Sequence, residues 1–231
     1  NAPVELTSIL LIPLKETGEI TSKGVYLGNE EELHHLLNEK LLRVGHPQKI
    51  MIQTMSWGDA LSKLNVDSGN KKCAFKAKSD YVRELFKQEA IATIIQYLAS
   101  KDLKIQSAML ILDSYGGAIN QISEQETAFV HRKERFSMQY LTYWDAGDEE
   151  ADCINREWIN SFYQAMRPHV SGYSYQNYID KDLENWLHAY YGANKERLIE
   201  IKTLYDQNNF FRFDQSIPSS VGVYSSMSGK S

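Results

Sequence analysis

The sequence predicts an α+β fold, a mostly antiparallel β-sheet with helices packed on one face. Three observations carry that expectation. Strand-like and helix-like segments run in the order ββαβαβαββα, which joins strands as hairpins rather than repeating a strict βαβ unit. The apolar runs are short: the longest, such as Ile9–Leu14, suit strands, and none approaches the ~20 residues that cross a bilayer. With 231 residues, 42% of them hydrophobic and 24% charged, the chain is long and apolar enough for one sizeable core.

Residues 5–12 (ELTSILLI) form the first predicted strand, closed by Pro13 and Gly18, and residues 20–27 form the second, ending at Gly28. Asn29 caps a helix whose first turn, Glu30-Glu31-Glu32, is acidic where the helix dipole favours negative charge. Leu33, Leu36, Leu37, Leu41 and Val44 keep the helical period, and Gly45 with Pro47 ends it. Residues 49–55 read as a strand, Ser56 as the cap of a short helix to Leu64, and residues 65–72 as a polar loop. Ser79 is expected to cap a long helix to Ser100, with Val82, Leu85, Phe86, Ile94, Ile95 and Leu98 as its buried stripe. Residues 105–112 and 135–144 are strands, and residues 149–166 are a helix stopped by Pro168. A short extended run over 173–178, helices over 183–190 and 194–205, and an irregular tail from Asn208 complete the chain.

Composition excludes several classes of function. A formal net charge of −5 without any Lys/Arg block leaves no footprint for a phosphate backbone, so nucleic acid is not an expected partner. Cys73 and Cys153 lie too far apart in sequence for a metal-ligand spacing or a disulfide framework. Walker, GxGxxG, HExxH, CxxC and GxSxG patterns are all missing, and no metal site is expected. His34 and His35 read as solvated residues of an acidic helix, and His46, His169 and His188 as helix-end residues. The first residues carry no signal core, which leans towards a cell interior rather than secretion. The chain starts without Met and is expected to be processed, excised or incomplete. Its unusual feature is aromatic, with 14 Tyr, 8 Phe and 4 Trp, which serves either packing or an aromatic-walled cleft.

Three segments stand out. In Leu110–Gln121 (LILDSYGGAINQ) an apolar strand ends in a carboxylate and a Gly-Gly turn. It is either a plain strand and turn, with Asp113 bonding turn amides, or a place where backbone approaches another group closely. In Gly172–Asp180 (GYSYQNYID), extended backbone puts Tyr173, Tyr175 and Asn177 on one face and Ser174, Gln176 and Tyr178 on the other. Both faces are too polar for a core, so this is an exposed edge strand or part of a site. In Asn185–Pro218 a charged helix runs into an Asp-x-Asn-Asn turn, Phe210-Phe211 and Gln215-Ser216-Ile217-Pro218.

Together these segments resemble the berberine-bridge-enzyme-like flavin oxidases, a branch of the vanillyl-alcohol-oxidase-type flavoproteins. The resemblance rests on YxNYxD followed by W…YYGxNxxRLxxIKxxYDxxNxF…QSIP, and on Tyr115-Gly116-Gly117 followed by Phe129-Val130-His131-Arg132. Gly24-Val25-Tyr26-Leu27-Gly28 and Met55-Ser56-Trp57 are similar to pieces of the family's substrate half, so nearly the whole chain is covered. The resemblance implies a substrate-binding domain over residues 1–172 and a closing segment over 173–231. It also implies FAD, whose main site and any covalent link belong to an N-terminal flavin-binding domain or chain that this sequence does not contain. Cys73 and Cys153 are therefore not assigned to the flavin.

Residue by residue, the resemblance makes Tyr178 the catalytic base. A phenol with a pKa near 10 can serve only if that pKa is lowered or its proton is relayed. Asp113 falls where carbohydrate-oxidising members pair an Asp with that Tyr, which implies alcohol oxidation. Met138 stands where alkaloid- and cannabinoid-type members carry a Glu, which argues against those cyclisations. By strand alternation Tyr140 and Thr142 share its face, and with Met138 and Tyr115 they are the expected substrate-binding residues. Tyr175 and Asn177 are the expected FAD contacts, and His131-Arg132 are read as structural. The expected activity is FAD-dependent oxidation of a sugar or hydroxylated natural product, with O2 as acceptor. A dehydrogenase passing electrons to a protein is a variant of it, and a non-catalytic α+β binding module is the rival from another class.

Overall fold

The structure, a computed structural model, describes residues 3–14, 19–41, 47–64, 73–99, 105 and 107–220. In chain order its elements are β1 (Leu6–Pro13), β2 (Thr21–Tyr26), α1 (Glu30–Leu36), α2 (Trp57–Leu64), β3 (Cys73–Val82) and α3 (Gln88–Leu98). There follow β4 (Ser107–Ser114), α4 (Ala118–Gln121), β5 (Phe136–Asp145), α5 (Glu149–Met166), α6 (Trp186–Tyr191) and α7 (Lys195–Tyr205). The five strands make one sheet, β2-β1-β4-β5-β3, antiparallel at every pairing. The α+β expectation therefore holds.

Strand alternation gives the sheet two different faces. On one lie Ala108, Leu110, Met138 and Tyr140, packed against α3 and α5. The helix α5 begins on Asp148, whose carboxylate accepts the Ala151 amide at 2.9 Å, and it buries Ala151, Asn155, Trp158, Ile159, Phe162, Tyr163 and Met166 along one stripe. The Tyr140 ring meets Phe162 and Tyr163 edge-on, at 5.0 and 5.7 Å between centroids.

The expected helix starting at Ser79 is instead the second half of β3, and the helix begins at Gln88. Of the predicted stripe, Ile94 and Leu98 are buried, whereas Leu85 and Ile95 are exposed. What disguises β3 is its polar, helix-facing row Lys76, Lys78 and Asp80. Asp80 lies wholly buried, paired with Arg167 and accepting the Tyr140 hydroxyl at 2.9 Å. Burial pushes its carboxyl up to about 7 against the pull of Arg167 and Tyr140. Lys76 and Lys78 reach Asp180 at 2.7 and 2.6 Å. Residues 51–56 are irregular rather than a strand, and the sheet is bounded by β2 and β3 without them. The first helix ends as a π-helical turn over Leu37–Leu41. Val44, Gly45 and the predicted loop 65–72 lie outside the described residues.

Beyond α5, a short 3-10 turn, Arg167–His169, contains Pro168, and the chain then follows the outer side of β3. The Ser171 amide donates to the Tyr81 carbonyl at 2.8 Å, and the Tyr81 amide donates to the Tyr173 carbonyl at 3.0 Å. Gly192 lets this segment close: a Cβ there would stand 2.9 Å from the Tyr173 ring and 3.1 Å from Val130. Beneath it His131 is wholly buried, stacked on Tyr81 at 4.0 Å and edge-on to Phe129 and Tyr173 at 5.1 and 5.7 Å. Arg132 pins the preceding loop through the carbonyls of Phe129 and Ile119 and the Thr127 hydroxyl.

Two predictions follow from these interior groups. Asp80→Ala leaves Arg167 and the Tyr140 hydroxyl without their acceptor and is expected to lower stability by about 3 kcal/mol in urea unfolding; a loss under about 1 kcal/mol would show that the cluster contributes little. Burial, with Arg83 beside it, pulls the His131 imidazole down to about 3, so it stays neutral in the fold. Between that value and about 6.5 the unfolded chain binds the extra proton, so this contribution rises with pH and is lost on acidification. Stability measured from about pH 4 to pH 7 should therefore climb more steeply for the native chain than for His131→Gln. Equal slopes would mean that the imidazole charges inside the fold.

Candidate active site

The sheet face opposite the helices holds the candidate site. Register places Tyr81 opposite Ser137, Ser137 opposite Asp113, and Asp113 opposite Ile9, a row running across β3, β5, β4 and β1. The Ser137 hydroxyl donates to Asp113 Oδ2 at 3.3 Å. Two residues after Asp113, the Tyr115 amide donates to the Arg135 carbonyl at 2.8 Å. This returns the Tyr115 ring to the same face, where its hydroxyl lies 3.0 Å from that of Tyr81. Gly116 and Gly117 have φ of 127° and 51°, and a Cβ on Gly116 would meet nothing within 4 Å. Both φ values favour glycine, and a Cβ on Gly117 would meet Val4 at 3.4 Å, so backbone conformation is what the double glycine serves within this chain.

Residues 173–178 are not the expected extended run. The Tyr178 amide donates to the Tyr175 carbonyl at 3.0 Å, closing a turn that sets the two rings edge-to-face at 4.9 Å on one side. Asn177 is exposed and donates through Nδ2 to the Tyr175 hydroxyl at 2.8 Å. This turn is tied around the free edge of β3. Ser79, far from capping a helix, accepts the Tyr175 amide on its hydroxyl at 2.9 Å, while its carbonyl accepts the Ser174 hydroxyl at 2.7 Å. Past the turn Asp180 is gripped by Lys76 and Lys78, its amide donates to the Tyr190 hydroxyl at 3.0 Å, and its carbonyl accepts Gln215 at 2.8 Å. The YxNYxD and QSIP stretches, read separately in sequence, therefore form one anchored unit.

Of the expected site residues, the structure brings Asp113, Tyr115, Tyr175, Asn177 and Tyr178 into one neighbourhood, walled by Phe129 and Tyr81. It does not bring Met138, Tyr140 and Thr142 there. All three point into the helix layer and are wholly buried: Tyr140 on Asp80 and Phe162, Thr142 donating to Asn155, Met138 in the core cluster. The β5 residue that touches Asp113 is Ser137, and a Ser, like a Met, offers no carboxylate. The signal was present in the alternation: Met138, Tyr140, Thr142 and Trp144 form the bulkier set that a core takes, and Ser137 and Gln139 belong to the other. Tyr81 was missed because β3 read as a helix.

The electrostatics are those of a half-buried cluster of phenols and hydroxyls around one carboxylate. Burial, opposed by the Ser137 hydrogen bond, raises the Asp113 carboxyl above its usual range. Burial, then Asp113, Tyr175 and Tyr115, raises the Tyr178 phenol, so it is un-ionised at neutral pH. The surroundings of Tyr178 raise its phenol rather than lower it, so of the two ways in which it could act, relay of its proton is the one they favour, with Asp113 the charge acting on it.

Comparison with known proteins bears on the family and the fold. The Berberine and berberine like family matches residues 174–218, the turn and its anchors. The Bacillus subtilis FAD-linked oxidoreductase YgaK is 33% identical over 92% of this chain and 46% of its own length. The monolignol oxidoreductase AtBBE-like 13 of Arabidopsis thaliana is 32% identical over 86% of this chain and 41% of its own. Among solved structures, berberine bridge enzyme from Eschscholzia californica superposes with a TM-score of 0.80 at 26% identity, covering 93% of this chain and 49% of that one. Phl p 4, a grass pollen allergen with glucose dehydrogenase activity, gives 0.80 at 26% identity over 94% and 49%. The present chain spans about half the length of the relatives it matches. In sheet, turn and C-terminal anchor alike, it belongs to the berberine-bridge-enzyme-like family of FAD-linked oxidoreductases.

Proposed function

We propose that this chain forms the substrate side of an FAD-dependent alcohol oxidase, residues 1–172 binding substrate and 173–231 closing against a flavin-binding part of the same protein. The observation that carries the reading is the Asp113–Tyr178 pair, a carboxylate beside an un-ionised phenol on a sheet face walled by aromatic rings. The substrate hydroxyl sits on the Tyr178 oxygen. As the carbinol hydride departs, Tyr178 takes the hydroxyl proton and passes its own to Asp113, so the phenol remains neutral and the carboxylate becomes the acid. Ser137, donating to Asp113, favours the ionised form that can accept, against the burial that raises the carboxyl.

Asn177 and Tyr175 fit a flavin edge: Asn177 uses one N–H on Tyr175 and retains a carbonyl and an N–H, the donor–acceptor pair that a pyrimidine edge requires. FAD, when bound, supplies the hydride acceptor, which O2 regenerates. Tyr115 and Phe129 offer ring faces to the substrate, and these suit either a sugar or an aromatic allylic alcohol. The named activities of two relatives, on monolignols and on glucose, span that range.

The test is anaerobic flavin reduction in the complete protein, screened with glucose and with a monolignol. Tyr178→Phe is expected to abolish reduction while the bound-flavin spectrum is retained, and Asp113→Asn to slow it roughly a hundredfold. Native reduction rates in Tyr178→Phe would remove the assignment.

A further inference from the structure

The reaction just described makes no use of Tyr81. This ring is wholly buried, stacked on His131 at 4.0 Å and edge-on to Tyr115 and Tyr175 at 5.3 and 6.4 Å. A Phe would fill the same space and keep the same stack. Burying a hydroxyl is unfavourable unless a partner meets it, and here that partner is the Tyr115 hydroxyl at 3.0 Å. Either hydroxyl can donate across this contact, but Tyr115 is the one partner of the Tyr81 hydroxyl among the described residues, so donating towards Tyr115 is the arrangement that leaves no buried proton unmet. An oxygen that already accepts one hydrogen bond turns its own proton elsewhere, and becomes the stronger donor for it. From Tyr115 the remaining polar neighbours are Ser137 and Asp113, with Tyr178 and Tyr175 beyond, which is where the substrate oxygen is held.

We infer that Tyr81 is a positioning residue: through its hydrogen bond it fixes the Tyr115 hydroxyl as a donor aimed at the Asp113–Tyr178 pair, where it steadies the substrate oxygen during proton transfer. The inference rests on the reading of Tyr178 and Asp113 given above. It explains why a tyrosine, rather than the sterically equal phenylalanine, lies at the closed end of the cross-sheet row.

The experiment is a mutant cycle in the complete, FAD-loaded protein, read by stopped-flow flavin reduction with whichever of glucose and a monolignol reduces the native enzyme. Tyr81→Phe should lower the limiting rate roughly tenfold, the worth of one oriented hydrogen bond. Because the contact is felt in the transition state, kcat and kcat/KM should fall together. Tyr115→Phe should fall at least as far, and Tyr81→Phe added to it should cost nothing more, since Tyr81 acts through that hydroxyl. A purely structural Tyr81 would predict independent, multiplying losses, and that result overturns the inference, as does a native rate in Tyr81→Phe. Independently of turnover, the Tyr115 phenol should ionise at higher pH once its donor is gone. It is read as the difference between native and Tyr115→Phe proteins in alkaline ultraviolet titration, set beside the same difference taken in the Tyr81→Phe background, and an unmoved titration counts against the link. Tyr178→Phe in the same series keeps the two readings apart. A native rate there removes the base itself, whereas an abolished rate there beside a native rate for Tyr81→Phe overturns only the role of Tyr81.

Discussion

The site depends on one constraint, the tie of the 174–180 segment around the free edge of β3. An edge strand presents unpaired backbone groups and cannot by itself fix what crosses it. Here the crossing is held on both sides. On the open face Ser79 uses hydroxyl and carbonyl to hold Tyr175 and Ser174, and on the helix face Lys76 and Lys78 close on Asp180. Lys78 and Asp180 are both buried, so their attraction is little screened by water, and the loss of either would strand a charge in the interior. Tyr178 lies between these two anchors, two residues from Asp180. Its distance from Asp113, on a different strand, is therefore set by contacts that themselves take no part in chemistry.

The same tie explains why the site mixes residues so remote in sequence. Asp113 and Ser137 come from adjacent strands and would be neighbours in any version of the sheet. Tyr81 joins their row only because β3 lies beside β5, and Tyr175 and Tyr178 only because the chain after α5 folds back over β3. Gln215 then closes the system from the far end by bonding the carbonyl of Asp180.

How much of this was legible in the sequence follows from where the partners of each residue lie. Asn29, with its acidic first turn, and the Pro168 stop after α5 are local signals: the first helix starts where it was read and ends, among the described residues, in a π-helical turn, and α5 forms where it was read. β5 was placed within a residue, yet its face was assigned backwards. The motif reading took Met138 as the ligand-side residue, while the bulk of Met138, Tyr140 and Trp144 belonged against α5. β3 was lost altogether, because Lys76, Lys78 and Asp80 look like a solvated surface until Arg167, Asp180 and Tyr140 are known to meet them. Such charges sit in a core only when paired, and their partners lie far along the chain. The motif stretches carried Asp113, Tyr175 and Tyr178 correctly into one neighbourhood, because that motif encodes a turn and its anchors rather than a strand.

The charge inventory of the site decides how a proton can move there. The groups acting on Asp113, Tyr115 and Tyr178 are hydroxyls, phenols and one carboxylate; among the described residues no lysine or arginine is one of them. On the proposed alcohol oxidation, an alkoxide formed ahead of hydride departure would stand beside half-buried Asp113 with no cationic side chain among the described residues acting on it, and like charges close together are costly. On that reading the residues of this chain disfavour removing the hydroxyl proton first. Letting the hydride leave first, with the proton still in place, would build a positive charge that Asp113 favours but that the neutral phenol of Tyr178 cannot discharge alone. The arrangement suits a step in which the proton passes through Tyr178 to Asp113 as the hydride leaves, so that no full charge accumulates on the substrate oxygen. A hydroxyl network fits that requirement better than a cation would, because it shifts its donors along with the proton and adds no fixed charge at either end of the reaction.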